Sequence, residues 1–232
     1  MATSGNANYT YNRDQIITAA LRKLGVVAQG ESPSATQISE AAEALNLMVK
    51  AFVTDGMPLW KISEHNLTLV ASTASYTIGS RLLKVVQSYR TTDSVDTPLR
   101  IITRDEYNRL GNKISTGYPV SIYHDPRRTD SIVTVWPVPD STVASNTTVK
   151  LTYAAPYEDF DASTDDPDFP QEWFEALVYG LADRLAPEYS IPLADRKMIK
   201  DEAKMCKAVA ESFGTEEGSM FFQADWRGTY RG

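Results

Sequence analysis

Between Asn12 and Gly25 the apolar positions Ile17, Ala20, Leu21 and Leu24 recur at the spacing of one helix face. Asn12 with Gln15 three residues on has the pattern of a capping box, and Gly25 supplies a stop, so the spacing predicts a helix over 13–24. The same logic starts a second helix at Ser34, with Gln37 at its third position and Ile38, Ala41, Leu45, Met48 and Phe52 on one stripe before Asp55-Gly56. These two helices are expected to pair antiparallel across the loop 26–33. From Trp60 the period falls to two. Short β-rich runs are predicted at 65–70, 75–78, 83–89, 97–102, 120–124, 131–136 and 147–153, punctuated by Gly, Pro, Asp and Ser as in a meander or small sandwich. One short helix interrupts them, capped by Thr103 with Glu106 and ended by Gly111. Helical spacing returns after Asp168 or Phe169-Pro170, with Phe174, Leu177, Val178, Leu181 and Leu185 on a stripe that Pro187 terminates. A fourth helix is expected over 193–212, with Ile199, Ala203, Cys206, Ala210 and Phe213 inward and Gly214 at its end.

The order of elements predicts an α+β fold. Its simplest packing is a four-helix bundle built from the N-terminal and C-terminal helix pairs (10–58 and 157–214), with an inserted antiparallel β region (59–156) and an extended C-terminal tail (215–232). Apolar residues make up 42% of the 232-residue chain, enough to bury a core in either one large domain or two small ones. The longest apolar runs fall well short of a membrane span, and the first residues lack the basic and apolar regions of a signal peptide. No membrane partner is expected. A single cysteine, Cys206, excludes an internal disulfide framework and reads as a small core residue. The net charge of −7 is unevenly placed, with 17 acids against 8 bases in 157–232 and 13 against 15 before them. That balance disfavours tight nucleic-acid binding, which draws on a basic surface, while allowing transient contact.

Reaction chemistry is absent from the pattern. His65 and His124 both fall inside predicted strands with no Gly-x-Ser-x-Gly nucleophile in the chain, and structural roles are expected for both. The acidic run Asp159, Asp161, Asp165, Asp166, Asp168 fails the calcium-loop test, because the sixth and twelfth positions from Asp159 are Thr164 and Pro170 where Gly and Glu are required. It reads as a solvated linker whose last carboxylates suit the positive end of the following helix. No glycine-rich phosphate loop occurs, and no catalytic residue, cofactor or metal is assigned.

Two features point to binding instead. Lys197, Lys200, Lys204 and Lys207 are spaced by three, four and three residues and project from one helix face, either as a solvated stripe or as an electrostatic surface for an acidic neighbour such as residues 158–172 of an adjacent subunit. Beyond Gly214, Phe221, Phe222, Trp226 and Tyr230 lie with Arg227 and Arg231 in a segment too short for its own core. Aromatic and arginine residues dominate binding hot spots, so this tail either folds back on the helices or docks on a partner.

The opening AALRKLGV, the helix ATQISEAAEALNLMVKAFVTDGMPLW and the strand pattern HNLTLVASTASYTIG together resemble the head-to-tail adaptor proteins of short-tailed bacteriophages, the group that includes tail tubular protein A. FPQEWFEALVYGLADRLAPEY, the long last helix and the EEGSMFFQADWR tail resemble the same group, so the likeness runs in order over nearly the whole chain. The resemblance implies a structural protein rather than an enzyme: a twelve-subunit ring below the portal protein of the filled head. Helical bundles would surround a DNA channel, the β region would meet the tail nozzle protein, and assembly would take place in the host cytoplasm. Acidic channel walls would let DNA slide, with transient non-specific contact only. On that reading Phe221, Phe222, Trp226, Arg227 and Tyr230 bind the portal, and Lys197, Lys200, Lys204 and Lys207 lie at the subunit interface or channel. A different class of module remains open: a virion or cell-surface protein whose β region recognises a carbohydrate or protein ligand through Trp136, Tyr123 or Tyr153. A glycosidase with paired carboxylates ranks behind both, since no pocket can be placed.

Overall fold

The computed structural model describes Gly5, residues 9–52 and residues 61–213. The fold is mixed α+β, with six α-helices and two mainly antiparallel four-stranded sheets among the described residues. Helix α1 (Arg13–Lys23) begins where the capping box predicts: the Asn12 side chain accepts from the Gln15 N–H at 3.0 Å and the Gln15 side chain accepts from the Asn12 N–H at 3.0 Å. Ser34 and Gln37 form the same reciprocal pair at the head of α2 (Ala35–Phe52). After the β strands, a 3-10 turn at Gln171–Trp173 leads into α5 (Phe174–Leu185), and α6 (Leu193–Phe213) follows.

One buried cluster draws on all four long helices, including Ile17 and Leu21 of α1, Leu45 and Met48 of α2, Leu177 and Leu181 of α5 and Ala210 of α6. Helix α5 is central, lying against α1, α2 and α6, while α6 runs along α5 and the 3-10 turn. Gly180 sets the closeness of α2 to α5: a Cβ placed there would meet the Met48 Sδ at 2.9 Å.

The strands make a sandwich around a second cluster that includes Leu67, Val85, Ile122, Val133, Val135 and Leu151. One sheet has the order β1 (Ile62–Thr68), β8 (Thr147–Ala154), β3 (Lys84–Thr92), β4 (Val95–Pro98). The other has β2 (Ser75–Ile78), β7 (Ser131–Trp136), β6 (Ser121–Pro126), β5 (Arg100–Ile102). The run expected as one strand over 97–102 is therefore two. Leu99 N–H still bonds Ser88 of β3, whereas Arg100 N–H bonds Val120 beside β6, so the chain changes sheets within one residue. From there β5 runs parallel to β6, a departure from the expected all-antiparallel region. A parallel pair needs a crossover of a dozen or more residues, and the stretch containing α3 (Arg104–Asn108) provides it. The Thr103–Glu106 capping box holds as expected. A second short helix, α4 (Ser141–Asn146), was not expected; Asp140 caps it by accepting from Val143 N–H at 2.9 Å.

The acidic stretch 155–170 corrects the reading as a solvated linker. Tyr157, Phe160 and Phe169 are buried in the helical cluster, and the Tyr157 and Phe169 rings stack at 4.4 Å between centroids. Asn46 holds the Phe160 backbone through two bonds, and the Asp165 carboxylate accepts from the Asp161 and Ala162 N–H groups. The Asp165 carbonyl accepts from Arg13 N–H at 2.9 Å, satisfying a donor at the start of α1 that has no partner within its own helix. The stretch is a strap. Where the β strands meet the helices, Lys61 is ion-paired with Asp168 and lies over the Tyr157 ring, while Ala155 N–H bonds the Lys61 carbonyl, so the two chain crossings are tied together.

Candidate functional site

Helix α6 buries little. Ala203 and Ala210 are its buried residues and Ile199 and Cys206 are half-buried, so the expected inward stripe consists of small or partly covered side chains. The side chain of Phe213 lies outside the described residues. Larger apolar side chains point away from the core: Met198 (72% exposed), Met205 and Val209 recur on one outward flank. Lys197, Lys200 and Lys204 are exposed on the adjoining flank. Lys207 is half-buried instead, its ammonium 4.7 Å from the centre of the Phe52 ring and 3.6 Å from Glu211. The stripe of four is thus three solvent-facing cations and one anchored to the protein's own surface. An apolar flank beside a basic one, both uncovered on a 21-residue helix, has the composition of a contact surface.

The tail residues assigned to portal binding, Phe221, Phe222, Trp226, Arg227 and Tyr230, lie outside the described residues.

On the sandwich, β6–β7 register sets Ser121 opposite Trp136, and Tyr123 lies two residues along the same face. That outer face is partly covered by α3, whose Tyr107 stacks on Tyr123 at 5.3 Å. Trp136 is held by its indole N–H, which donates to the Asn112 carbonyl at 2.8 Å. Tyr153 belongs to the other sheet and packs partly on the sandwich core, so the three aromatics of the ligand-binding alternative do not converge. Beside Trp136 a groove of about 380 Å³ opens, with Ile102 and Leu110 in its lining and Arg100, Arg109 and Glu106 among its polar groups. Sequence reasoning did not find this groove, because its lining residues come from segments up to 36 positions apart.

His124 of β6 is half-buried, and its Nε2 has no hydrogen-bond partner among the described residues. Burial pushes its pKa below the ordinary histidine value, with a smaller opposing pull from Asp125. A depressed histidine is neutral in the fold, so its unfolded form binds the proton first. Stability is fully present above about pH 6.5 and falls as the pH drops toward the folded-state pKa. In thermal melts of wild type and His124→Asn, any wild-type advantage at pH 7.5 should therefore shrink by pH 5. A constant difference would show that His124 titrates normally.

Among the described residues no group of three or more His, Cys, Asp or Glu is arranged to hold a metal ion, and no helix is long and apolar enough to cross a membrane. The burial of Cys206 beside Glu175 and Glu202 raises its thiol pKa, the direction opposite to a reactive nucleophile.

The helical core and the strand sandwich each present an uncovered face, α6 on one and the groove beside Trp136 on the other. Against known families, the model of the SU10 adaptor protein family matches residues 10–211, most of the chain. The chain belongs to the SU10 adaptor protein family. The head-to-tail adaptor resemblance thus holds at the level of the family, and the protein is a structural adaptor of a bacteriophage. No curated protein matches the chain. The match spans α1 to nearly the end of α6, so the uncovered flank of α6 and the sandwich groove both belong to the adaptor's family region.

Proposed function

We propose that this SU10-family adaptor joins the portal of the filled head to the tail nozzle, as a twelve-subunit ring that helps retain packaged DNA and leaves a channel for its ejection. The family match over residues 10–211 carries the reading. In it, residues 10–58 and 157–214 act as one unit, a four-helix bundle facing portal and channel, while residues 59–156 face the nozzle and residues 215–232 reach the portal. The ring sits at the head-tail junction of the virion and assembles in the host cytoplasm. Neighbouring subunits meet through α6: its exposed Lys197, Lys200 and Lys204 suit the acidic strap of the adjacent copy, and Met198, Met205 and Val209 add apolar area. An acidic protein makes a channel along which phosphates slide, and contact with DNA is transient and non-specific.

Electron microscopy of the protein mixed with portal rings tests this directly, with a second ring stacked on the portal as the expected image. Lone portals at saturating adaptor would reject it. Reversing Lys197 and Lys204 to Glu should weaken ring formation by about tenfold or more while leaving monomer melting nearly unchanged, and added salt should weaken the wild-type ring. Equal assembly of variant and wild type across salt concentrations would place the lysines outside the interface.

A further inference from the structure

We propose that the groove on the outer face of the second sheet is a docking site for an extended acidic segment of another virion protein, one that presents a large apolar side chain beside its carboxylates. The proposal rests on the adaptor reading and adds the place and chemistry of one contact.

The first observation is shape. At about 380 Å³ the groove is at the small end of ligand pockets, and it is open, which suits one large side chain with its flanking backbone better than an enclosed small molecule. Its apolar part is rigid, because Trp136 is tethered through its N–H to Asn112 and Ile102 is almost fully buried in β5. Val120 (49% exposed) borders it, and the preceding loop exposes Tyr118 and Ile114 (83%).

The second observation is charge. Residues 59–156 carry 11 bases and 8 acids, whereas the rest of the chain carries 12 bases and 22 acids. The groove thus lies on the basic part of an acidic protein. The Arg100 and Arg109 side chains stand 71% and 78% exposed at its rim. Glu106, the carboxylate among the lining residues, is already committed: it accepts from Thr103 N–H at 2.8 Å and pairs with Arg100, and the Thr103 bond lowers its pKa. Among the described residues Arg109 is held by an exposed i,i+4 pair with Asp105, which is weak and easily exchanged for a partner's carboxylate. A guanidinium fork beside an apolar floor matches a carboxylate next to an aromatic or leucine side chain.

The acidic strap of a second copy is a poorer fit, because it buries Tyr157, Phe160 and Phe169 and would bring carboxylates without a neighbouring anchor.

The full-length protein, immobilised, is panned with random peptides of about 12 residues, and the enriched peptides are measured against wild type and an Arg100→Gln/Arg109→Gln variant whose melting temperature confirms folding. The expected consensus has Asp or Glu flanking Phe, Trp or Leu, with binding to the variant weaker by about tenfold or more and weakened by salt. No enrichment, a basic or uncharged consensus, or equal binding by the variant would overturn the proposal. So would a synthetic peptide of residues 215–232 that binds the wild type as tightly as the enriched peptides, which would assign the groove to this chain's own tail, or displacement of the peptides by a DNA oligonucleotide. The same variant mixed with portal rings separates the two readings: it should still stack on the portal, and failure of the wild type to stack would count against the adaptor assignment instead of the groove.

Discussion

Leu181→Ala should destabilise the protein by about 3 kcal/mol, within the range of roughly 2 to 5 kcal/mol for truncating a fully buried leucine. Leu181 is 0% exposed and sits on α5, the helix that touches α1, α2 and α6, so the cavity would open where these helices meet. The helices have little freedom to close it, since α2 and α5 already approach as near as Gly180 and Met48 allow. For a chain of this size that loss corresponds to a drop in melting temperature of about 6 to 12 °C. Leu47→Ala is the matched control, because Leu47 is on α2 but 68% exposed, and it should change stability by less than about 0.5 kcal/mol. Equal small losses from both substitutions would mean that Leu181 is not in the core.

What could be read from the sequence was what short-range interactions decide. The three capping boxes at Asn12, Ser34 and Thr103 are reciprocal bonds between residues three apart, so the pattern and the structure are the same fact. Strands β2 and β7 occupy the residues that alternation assigned, because Val133 and Val135 face the core while Thr134 and Trp136 face outward. The misplaced elements depend on distant partners. Pro98 marks a break in the run 97–102, but nothing local says that the chain passes from one sheet to the other there. The β3–β4 turn uses Asp93-Ser94, both at positive φ, where the usual signal would be Asp-Gly or Asn-Gly. Helix α4 has the sequence STVASN, rich in residues that favour turns or strands, and depends on the Asp140 cap and the burial of Val143.

The candidate surfaces divide in the same way. Spacings of three and four show that the α6 lysines share a face, but not that Lys207 is drawn onto Phe52, a contact between residues 155 positions apart. Met198, Met205 and Val209 fall off the inward stripe that the spacing assigned, and the structure leaves them exposed. The side of α6 that packs on the helical cluster carries Ile199, Cys206 and Ala210 instead, and Ala203 is buried too. The strap was obscured by its own carboxylates: its three buried aromatics have neither helical nor strand spacing, and only contact with the helices gives them a pattern. The groove beside Trp136 needed the β5–β6 crossover before Arg100 and Arg109 could be placed together.

Deletion of residues 215–232 should abolish stable binding to portal rings while leaving the melting temperature of the isolated protein nearly unchanged. The last α6 residue in the buried helical cluster is Ala210, so the deletion removes none of the core formed by the described residues. The 18 residues contain Phe221, Phe222, Trp226 and Tyr230 with Arg227 and Arg231, a density of anchor types far above that of an ordinary surface. Ordering such a segment on a partner costs conformational entropy, so its binding energy must concentrate in a few side chains, with Phe222 and Trp226 the largest contributors. Trp226→Ala alone should weaken portal binding by about 2 kcal/mol or more, a roughly 30-fold rise in Kd measurable by titration of labelled portal rings. Arg227→Ala should cost less if the arginine lies at the rim of the contact, where water competes for its charge. A truncated protein that binds portal rings as well as wild type but melts several degrees lower would place the aromatics in the adaptor's own fold, and the portal contact would then have to come from the exposed flanks of α6.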